Sequence, residues 1–357
     1  MTEERKTQKE PREPMGILAC LSAGFDIVAR HPTMIILPLL FDLFLWLGPR
    51  LSLAPIFAEV GQFCSTYSSV QESPALLVVD QLLRALAQMF NIGIEQLLHL
   101  VAEMSEAVAT RYNLFTALSP GPLLGAPTVM AARFTVERPM GMRPEIVVAS
   151  PFVACAWIVL LSVVGLGISA LYLRGVGWQV IAETESALPG PQSVLTLWKQ
   201  FIILALTLLF VLGSLGFVGF SFVMLIGLLN RGLAYFALTL SFAMLVFVAF
   251  HFIFAIPGMV QLRRSPLYAL QESILLTRVD FVNVSFLVLL ILVITRGLNV
   301  VWRLPDPATW ATLIGIAGHA FVSTALITTL FVFYQDRLNF LPTMEKARAP
   351  QEIPAHS

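Results

Sequence analysis

The chain has 357 residues, of which 57% are hydrophobic and only 12% charged, and its mean hydropathy is +0.81. Soluble domains carry about 25% charged residues, so the composition excludes an ordinary soluble protein. The formal net charge is zero, which gives no reason to expect a nucleic-acid partner. Cys20, Cys64 and Cys155 lie far apart with no CxxC pair, so neither a disulfide framework, a metal site nor a cofactor is expected.

A charged, proline-containing segment, MTEERKTQKEPREP (1–14), precedes the first apolar run. We expect this segment and residues 339–357 to be disordered cytoplasmic tails. A cleavable signal peptide has an apolar core of about 7–15 residues. The first run is longer and ends at Arg50 instead of a small-residue cleavage site, so it is predicted to be an uncleaved membrane span.

Six apolar runs reach the length of roughly 20 residues that a helix needs to cross a bilayer. Helices are expected because every backbone polar group in lipid must be hydrogen-bonded internally. The sequence therefore predicts an all-α integral membrane protein with six transmembrane helices, at 33–53, 148–173, 201–229, 233–260, 281–302 and 309–333. The last five form a membrane region, 148–338, in which NRGL (230–233) predicts a tight turn between the third and fourth spans.

The positions of lysine and arginine predict the orientation of these spans. With a cytoplasmic N-terminus, all four lysines fall inside, and the short outer turns hold only Arg231 and Arg303. Both termini are therefore predicted to be cytoplasmic, in the inner membrane of a bacterium.

Three short, half-polar stretches that end in a basic residue precede the first, third and fifth spans. They are GFDIVAR (24–30), SVLTLWK (193–199) and SILLTR (273–278). We interpret each as an interfacial helix in the headgroup layer, anchored by its cation. Three repeated hairpins are one explanation; the other is that any span entering from the cytoplasm tends to follow a basic residue.

The stretches AGFDIVARHPTMIILPLLFDL and SPLYALQESILLTRVDFVNVSFLVLL resemble a loose group of uncharacterised bacterial multi-pass membrane proteins. This group includes the membrane domain that precedes some glycerophosphodiester phosphodiesterases. The resemblance covers about two thirds of the chain and implies an amphipathic helix before each span. The long insert after the first span departs from the group, and no soluble phosphodiesterase domain is expected. That activity is therefore not implied, and the group supplies no catalytic residues.

Residues 54–147, between the first two spans, are predicted to form an extracytoplasmic helical cap. Within 76–108, apolar residues recur at spacings of three and four, as in a coiled-coil seam. Three roles stay open for this seam: packing on the protein's own spans, a homo-oligomeric or partner coiled coil, and a helix lying on lipid. Asn91–Gly93 is expected to break it into a hairpin. The seam residues are Leu76, Val79, Leu83, Leu86, Phe90, Leu97, Val101, Met104 and Val108.

Four ionisable side chains fall inside the predicted spans, where a charged group costs roughly 2.5–3.5 kcal/mol on insertion scales. They are Asp42, His251, Arg296 and His319. Asp42 lies about nine residues from either end of its span, and the two histidines are expected at a similar depth. A buried proton- or cation-binding cluster of Asp42 with His251 or His319 is the functional interpretation. The structural one is a carboxylate that holds the bundle together by hydrogen bonds to a histidine, a hydroxyl or Arg296.

Small residues at helical spacing predict close approach of helices. They are Gly165 and Ser169, then Gly213, Gly216 and Gly219, and finally Gly315 and Gly318. Pro38 and Pro257 are expected to kink the first and fourth spans.

Known catalytic motifs such as GxSxG, HExxH and the Walker loop are missing from the sequence. The acidic pair Glu183 and Glu185 is expected to be a solvated loop feature, since no histidine or cysteine is near it in sequence. The leading hypothesis is a non-enzymatic scaffold, accessory subunit or assembly factor. The alternative is a small ion-coupled transporter that uses Asp42 with His251 and His319.

Overall fold

The computed structural model describes residues 14–70, 77–120, 124–131, 133, 137–184 and 189–348. The protein is about 79% helical, which confirms the predicted all-α membrane class. Leu76, Glu185 and the outer parts of both predicted tails, 1–13 and 349–357, lie outside the described residues.

The helices and strands follow one another in a simple order along the chain. They are α1 (Ile17–Arg30), a 3-10 turn (Pro32–Ile35), α2 (Ile36–Leu47), β1 (Arg50–Ser52), α3 (Ala54–Val70), α4 (Leu77–Phe90), α5 (Ile94–Arg111), a 3-10 helix (Leu114–Leu118), β2 (Glu145–Val147), α6 (Pro151–Glu183), α7 (Val194–Leu229), α8 (Arg231–Phe250), α9 (Ala255–Leu262), α10 (Pro266–Val279), α11 (Phe281–Trp302) and α12 (Thr312–Arg348).

Five stretches of the described chain are long and apolar enough to cross a membrane: α6, α7, α8 with α9, α11, and α12 as far as Leu338. A sixth crossing exists only if α1 and Pro32–Leu47, which meet at an angle of 92°, are counted together. Of the 18 most apolar consecutive residues of α12, 61% are buried within the protein. The corresponding share is 11–28% in the other four stretches. α12 is therefore the most buried of the five stretches, and α1, α2, α6, α9 and α11 pack against it, whereas α8 packs on α7.

The first predicted span, 33–53, ends earlier than expected. α2 stops at Leu47, and the residues that were expected to complete the helix form strand β1 instead. Gly48 has an extended backbone and precedes Pro49; the residue before a proline is disfavoured in the helical region. Counting hydrophobic residues alone does not detect this stop.

The fourth predicted span is interrupted by four turn residues between α8 and α9. Pro257 explains the interruption, because it cannot donate a hydrogen bond to the carbonyl of Ile253. The buried hydroxyl of Ser273 in α10 donates to the carbonyl of His251 (2.6 Å) and accepts from the N–H of Phe254 (3.0 Å). A side chain from a neighbouring helix thus satisfies the backbone groups that the break sets free.

Other boundaries also differ from the sequence-based expectation. α7 starts at Val194, so the stretch 193–199 is the beginning of a long helix and not a separate one. The stretches 24–30 and 273–278 do lie in distinct helices, α1 and α10. α12 extends to Arg348, so residues 339–348, assigned to the C-terminal tail, are helical. Asn230 alone separates α7 from α8 and caps α8 through the N–H of Leu233 (3.1 Å), as expected for a tight turn.

In the described part of the cap, residues 54–147, the helices α3, α4 and α5 pack on each other, and α4 also packs on the membrane region. Tyr67 of α3 and Leu98 of α5 belong to one apolar cluster, and Leu86 of α4 packs against Val223 at the end of α7. The seam within 76–108 is thus broken at residues 91–93, as expected, and its residues Leu83, Leu86 and Val101 pack within the protein itself. Met104, a predicted seam residue, is 60% exposed.

A short parallel sheet joins the two ends of the cap. β1 pairs with β2 in the register Arg50–Glu145, Leu51–Ile146 and Ser52–Val147. The segment that leaves α2 and the segment that enters α6 therefore lie side by side.

The predicted small residues fall into two groups according to their surroundings. A methyl group at Gly165 would collide with the backbone of Leu118, and one at Gly315 or Gly318 would collide with Trp302 at the end of α11. Gly219 faces Ser241 of α8, whereas the described residues place no atom within 4 Å of a methyl group added at Gly213 or Gly216. The hydroxyl of Ser169 donates to the carbonyl of Gly165 (2.9 Å). Because Gly165 has no side chain, the backbone of the cap at Leu118 can pack directly against α6. The close neighbour at this position is therefore the cap and not another membrane helix.

We expect Gly165→Ala to lower the thermal stability of the protein in detergent, because the added methyl group meets immobile backbone. Overpacking of this kind typically costs about 1–3 kcal/mol. Gly213→Ala is the matched control in the same type of helix, and its midpoint of unfolding should stay within error of the wild type. Equal midpoints for the two variants would contradict the close contact between α6 and the cap.

Candidate functional site

Asp42 is fully buried in α2 and binds a turn of the cap. Its Oδ2 accepts the backbone N–H of Val129 at 3.1 Å, and its Oδ1 accepts that of Met130 at 2.9 Å. The hydroxyl of Thr128 donates to Oδ1 as well, and its oxygen accepts the N–H of Ala131 at 3.1 Å. The turn at residues 128–131 is therefore organised around the carboxylate, whose three donors offset the loss of water on burial.

His319 of α12 is the neighbouring titratable group. Its Nδ1 lies 3.7 Å from Oδ2 of Asp42, and its Nε2 lies 3.1 Å from the hydroxyl oxygen of Ser323, one turn further along. The structure thus brings together two of the residues singled out from the sequence, Asp42 and His319. Ser323 was missed, although its position four residues after His319 places both side chains on one face of α12.

The other two candidates are held elsewhere. His251 lies at the break between α8 and α9, where its Nδ1 is 2.8 Å from the carbonyl oxygen of Phe247 and its ring contacts those of Phe247 and Phe250. Within the described chain, no hydrogen bond or ion pair joins His251 to Asp42 or His319. Arg296 is exposed on α11, with no such partner among the described residues. Asp42 also lies only five residues before the end of α2, not at the middle of a long span.

Buried and half-buried arginines in and next to the cap bind the carbonyl groups at the ends of helices. The guanidinium of Arg143 donates to the carbonyls of Leu45 and Trp46, and that of Arg138 donates to the carbonyl of Leu47 at 2.6 Å. These are three of the last four carbonyls of α2, which have no partner within the helix. Burial and the neighbouring Arg138 and Arg50 lower the pKa of Arg143 to about 10, so it is still a cation at neutral pH.

Arg50 and Arg133 act in the same way on other segments. Arg50, 5% exposed, donates from Nε to the carbonyl of Tyr112 (3.1 Å) just beyond α5, and Arg133 donates to the carbonyl of Arg303 (3.1 Å) just beyond α11. Sequence reasoning missed this role. The available signal was that residues 54–147 contain five arginines and no lysine, since arginine is better suited than lysine to buried, multiple hydrogen bonds.

A cavity of about 670 Å³ lies beside His319. Its walls come from α6, α9 and the turn before it, α11 and α12, together with Ser119, residues 125–128 and Ala131 of the cap. His319 and Ser323 line it, so His319 separates the carboxylate of Asp42 from the cavity. The volume is within the range of about 300–1,000 Å³ that is usual for small-molecule sites.

Glu183 differs from its expected solvated role. It is the last residue of α6, its Oε1 lies 2.7 Å from Nε2 of His31, and it forms an ion pair with Arg30. A histidine far away in sequence thus lies next to it. Within the described ranges no three His, Cys, Asp or Glu side chains come together as a metal site.

We expect Asp42→Leu to lower the stability of the protein strongly, because two buried N–H groups of the cap lose their acceptor at about 1–3 kcal/mol each. Asp42→Asn keeps one oxygen but turns an amide N–H towards a donor, so it should be destabilising to a smaller extent. Thermal unfolding in detergent measures both effects. Asp26→Asn, at an exposed carboxylate of α1, is the control. Wild-type stability of Asp42→Leu would disprove the anchoring role.

Comparison of the chain with protein-family models, with curated proteins and with solved structures found no match. The resemblance of the span-bearing sequence to the bacterial multi-pass group therefore stays an expectation. The geometry around Asp42 and the cavity is the basis on which a function is inferred.

Proposed function

We propose that the protein is a multi-pass component of a bacterial inner membrane, with six crossings and both termini in the cytoplasm. In this arrangement α1 and Pro32–Leu47 together supply the first crossing, and α1 and α10 lie at the cytoplasmic interface. The basic residues Arg30 and Arg278 in the last turns of these two helices support that placement. The distribution of lysine supports the orientation.

Its role in this proposal is non-enzymatic: a scaffold, accessory subunit or assembly factor that presents the cap. The observation that carries the proposal is the hydrogen bonding of Asp42. A carboxylate that binds and releases protons or cations needs access to water or to a ligand. Asp42 is 0% exposed and both its oxygens accept hydrogen bonds from the cap. This favours a carboxylate that fixes the cap on the bundle.

The cap offers a surface for a protein partner on α4. Leu86 packs against the end of α7, while Val78 and Leu82, two turns and one turn before it on the same side of α4, are 76% and 46% exposed. The exposed Gln81 borders this apolar stripe with a polar group. Contiguous exposed apolar surface with a polar rim is typical of interaction sites. We therefore assign the partner, whether a different protein or a second copy, to residues 76–108.

A small ion-coupled transporter is the second candidate. The 3.7 Å approach of His319 to Asp42, at the wall of a cavity, is the observation that favours it. Intramembrane pairs of this kind occur in proton relays. The predicted third member, His251, has its own partners at the helix break, which leaves a shorter chain of Asp42, His319 and Ser323.

One set of variants separates the two functions. For a scaffold, Val78→Asp should abolish co-purification of a stoichiometric partner or of the dimer in mild detergent, because a charge enters the apolar stripe. For a transporter, wild-type proteoliposomes should move protons or solute, and Asp42→Asn should stop this movement without loss of the folded protein.

Gln81→Asp is the matched control for the partner, since it places the same charge one helix position outside the stripe. Partner binding that is equally weak in both variants would count against the α4 surface. Ion movement by the wild type that Asp42→Asn abolishes would replace the scaffold by the transporter.

We expect Met142→Cys, in a background with Cys155→Ala, to react with an impermeant maleimide added to spheroplasts, because Met142 is 96% exposed in the cap. Lys199→Cys, at an exposed position before the third predicted span, should react only after the membrane is opened. Labelling of Lys199→Cys in intact spheroplasts would reverse the proposed orientation.

A further inference from the structure

The cavity beside His319 has a polar end and an apolar end. Ser119 and Thr128 belong to the cap, His319 and Ser323 lie in the first part of α12, and Thr295 lies in the last part of α11. Contacts of Trp302 with Gly315 and Gly318 place these two helix parts side by side. All five polar residues therefore gather at the end of the cavity near the cap. The opposite end is formed by apolar side chains: Ile253, Ile256, Val288, Leu330 and Phe331.

The length of the cavity matches one hydrocarbon chain. On α12 the lining residues recur on one face from His319 to Phe331, a distance of about 18 Å at 1.5 Å per residue. The hydrocarbon core of a bilayer is about 30 Å thick, so the chains of one leaflet extend about 15 Å. From Ser323, where the polar part ends, to Phe331 the distance is about 12 Å, which a single acyl chain spans.

The chemistry of the walls indicates an uncharged head. No Lys, Arg, Asp or Glu is found among the described lining residues, and the polar groups are hydroxyls and one imidazole. Proteins bind phosphate groups with arginine, lysine or helix N-termini. Hydroxyl groups and an imidazole are instead suited to hydrogen bonds with a hydroxyl or ester.

The cavity is also reached from the lipid side. Leu292, which lines it, is 49% exposed, and Thr295 is exposed on the same helix. Only 11% of the 18 most apolar consecutive residues of α11 are buried in the protein, so this helix faces the hydrocarbon of the bilayer. A ligand that is dissolved in the membrane therefore has a direct path past α11.

From these observations we infer that the cavity binds one acyl chain of a lipid with an uncharged head that carries hydroxyl or ester groups. The head lies among Thr295, His319 and Ser323, and the chain extends towards Phe331. This site is independent of the proposed scaffold role, because neither the α4 surface nor the anchoring of the cap by Asp42 requires a bound lipid.

Photolabelling tests the site directly. Full-length protein in nanodiscs is exposed to a monoacylglycerol with a diazirine near the end of its chain, and the labelled peptides are identified by mass spectrometry. Labels should lie on α9, α11 and α12. Leu292→Trp, which fills the mouth, should reduce labelling about tenfold, equivalent to about 1.4 kcal/mol. Leu289→Trp is the matched control, since Leu289 is 57% exposed on the same helix but does not line the cavity.

A lysophosphatidic acid probe with the same chain tests the head. It should label the cavity several-fold less than the monoacylglycerol, and Thr295→Val, which keeps the side-chain size, should reduce labelling by the neutral probe alone. Thr295→Val also serves if Leu292→Trp does not fold. An equal reduction by Leu289→Trp would mean that only surrounding lipid is labelled. Equal labelling by both probes would overturn the neutral head. Either result would contradict the inferred lipid site.

Discussion

Backbone groups that are freed where helices end or break must find partners inside the protein, and the rest of the structure depends on how this is done. The cap and α2 each supply hydrogen-bond partners for unpaired backbone groups of the other. Arg138 and Arg143 bind the free carbonyls of α2, while Asp42 of α2 binds free N–H groups of the cap. A backbone group left unpaired in the protein interior costs free energy. α2 and the cap therefore stabilise each other.

The same principle explains the break in α8 and α9. Pro257 interrupts the helix, and Ser273 supplies the donor and acceptor that the interruption requires. It follows that a membrane helix tolerates an interruption when a neighbouring helix places a polar side chain next to the backbone groups that the interruption leaves unpaired. His251 lies at this break, and its side chain contacts the carbonyl of Phe247 and not Asp42. Its presence in an apolar stretch is therefore explained by the end of α8.

Much of the architecture could be predicted from the sequence, because hydrophobic run length and turn residues are local properties. The class, the bounds of α11 and the turn at Asn230 follow from them. The partners of Asp42 could not be predicted in this way, since Val129 and Met130 are distant in sequence and bind through backbone N–H groups that any residue provides. The role of Ser273 at the helix break could not be predicted either, because the sequence around a serine in an amphipathic stretch does not indicate which backbone groups it binds. The end of α2 at Leu47 was marked by Gly48 and Pro49 but obscured by the hydrophobicity on both sides.

The pairing of β1 with β2 has a consequence for how such a protein changes over time. Because Arg50–Ser52 and Glu145–Val147 are adjacent, the whole excursion between them starts and finishes at one place. The entropy of closing a loop rises only slowly with its length, so the segment can grow, shrink or be exchanged while the flanking membrane helices keep their positions. What must be retained is small: the carboxylate of Asp42, the turn that it binds, and the arginines at the end of α2.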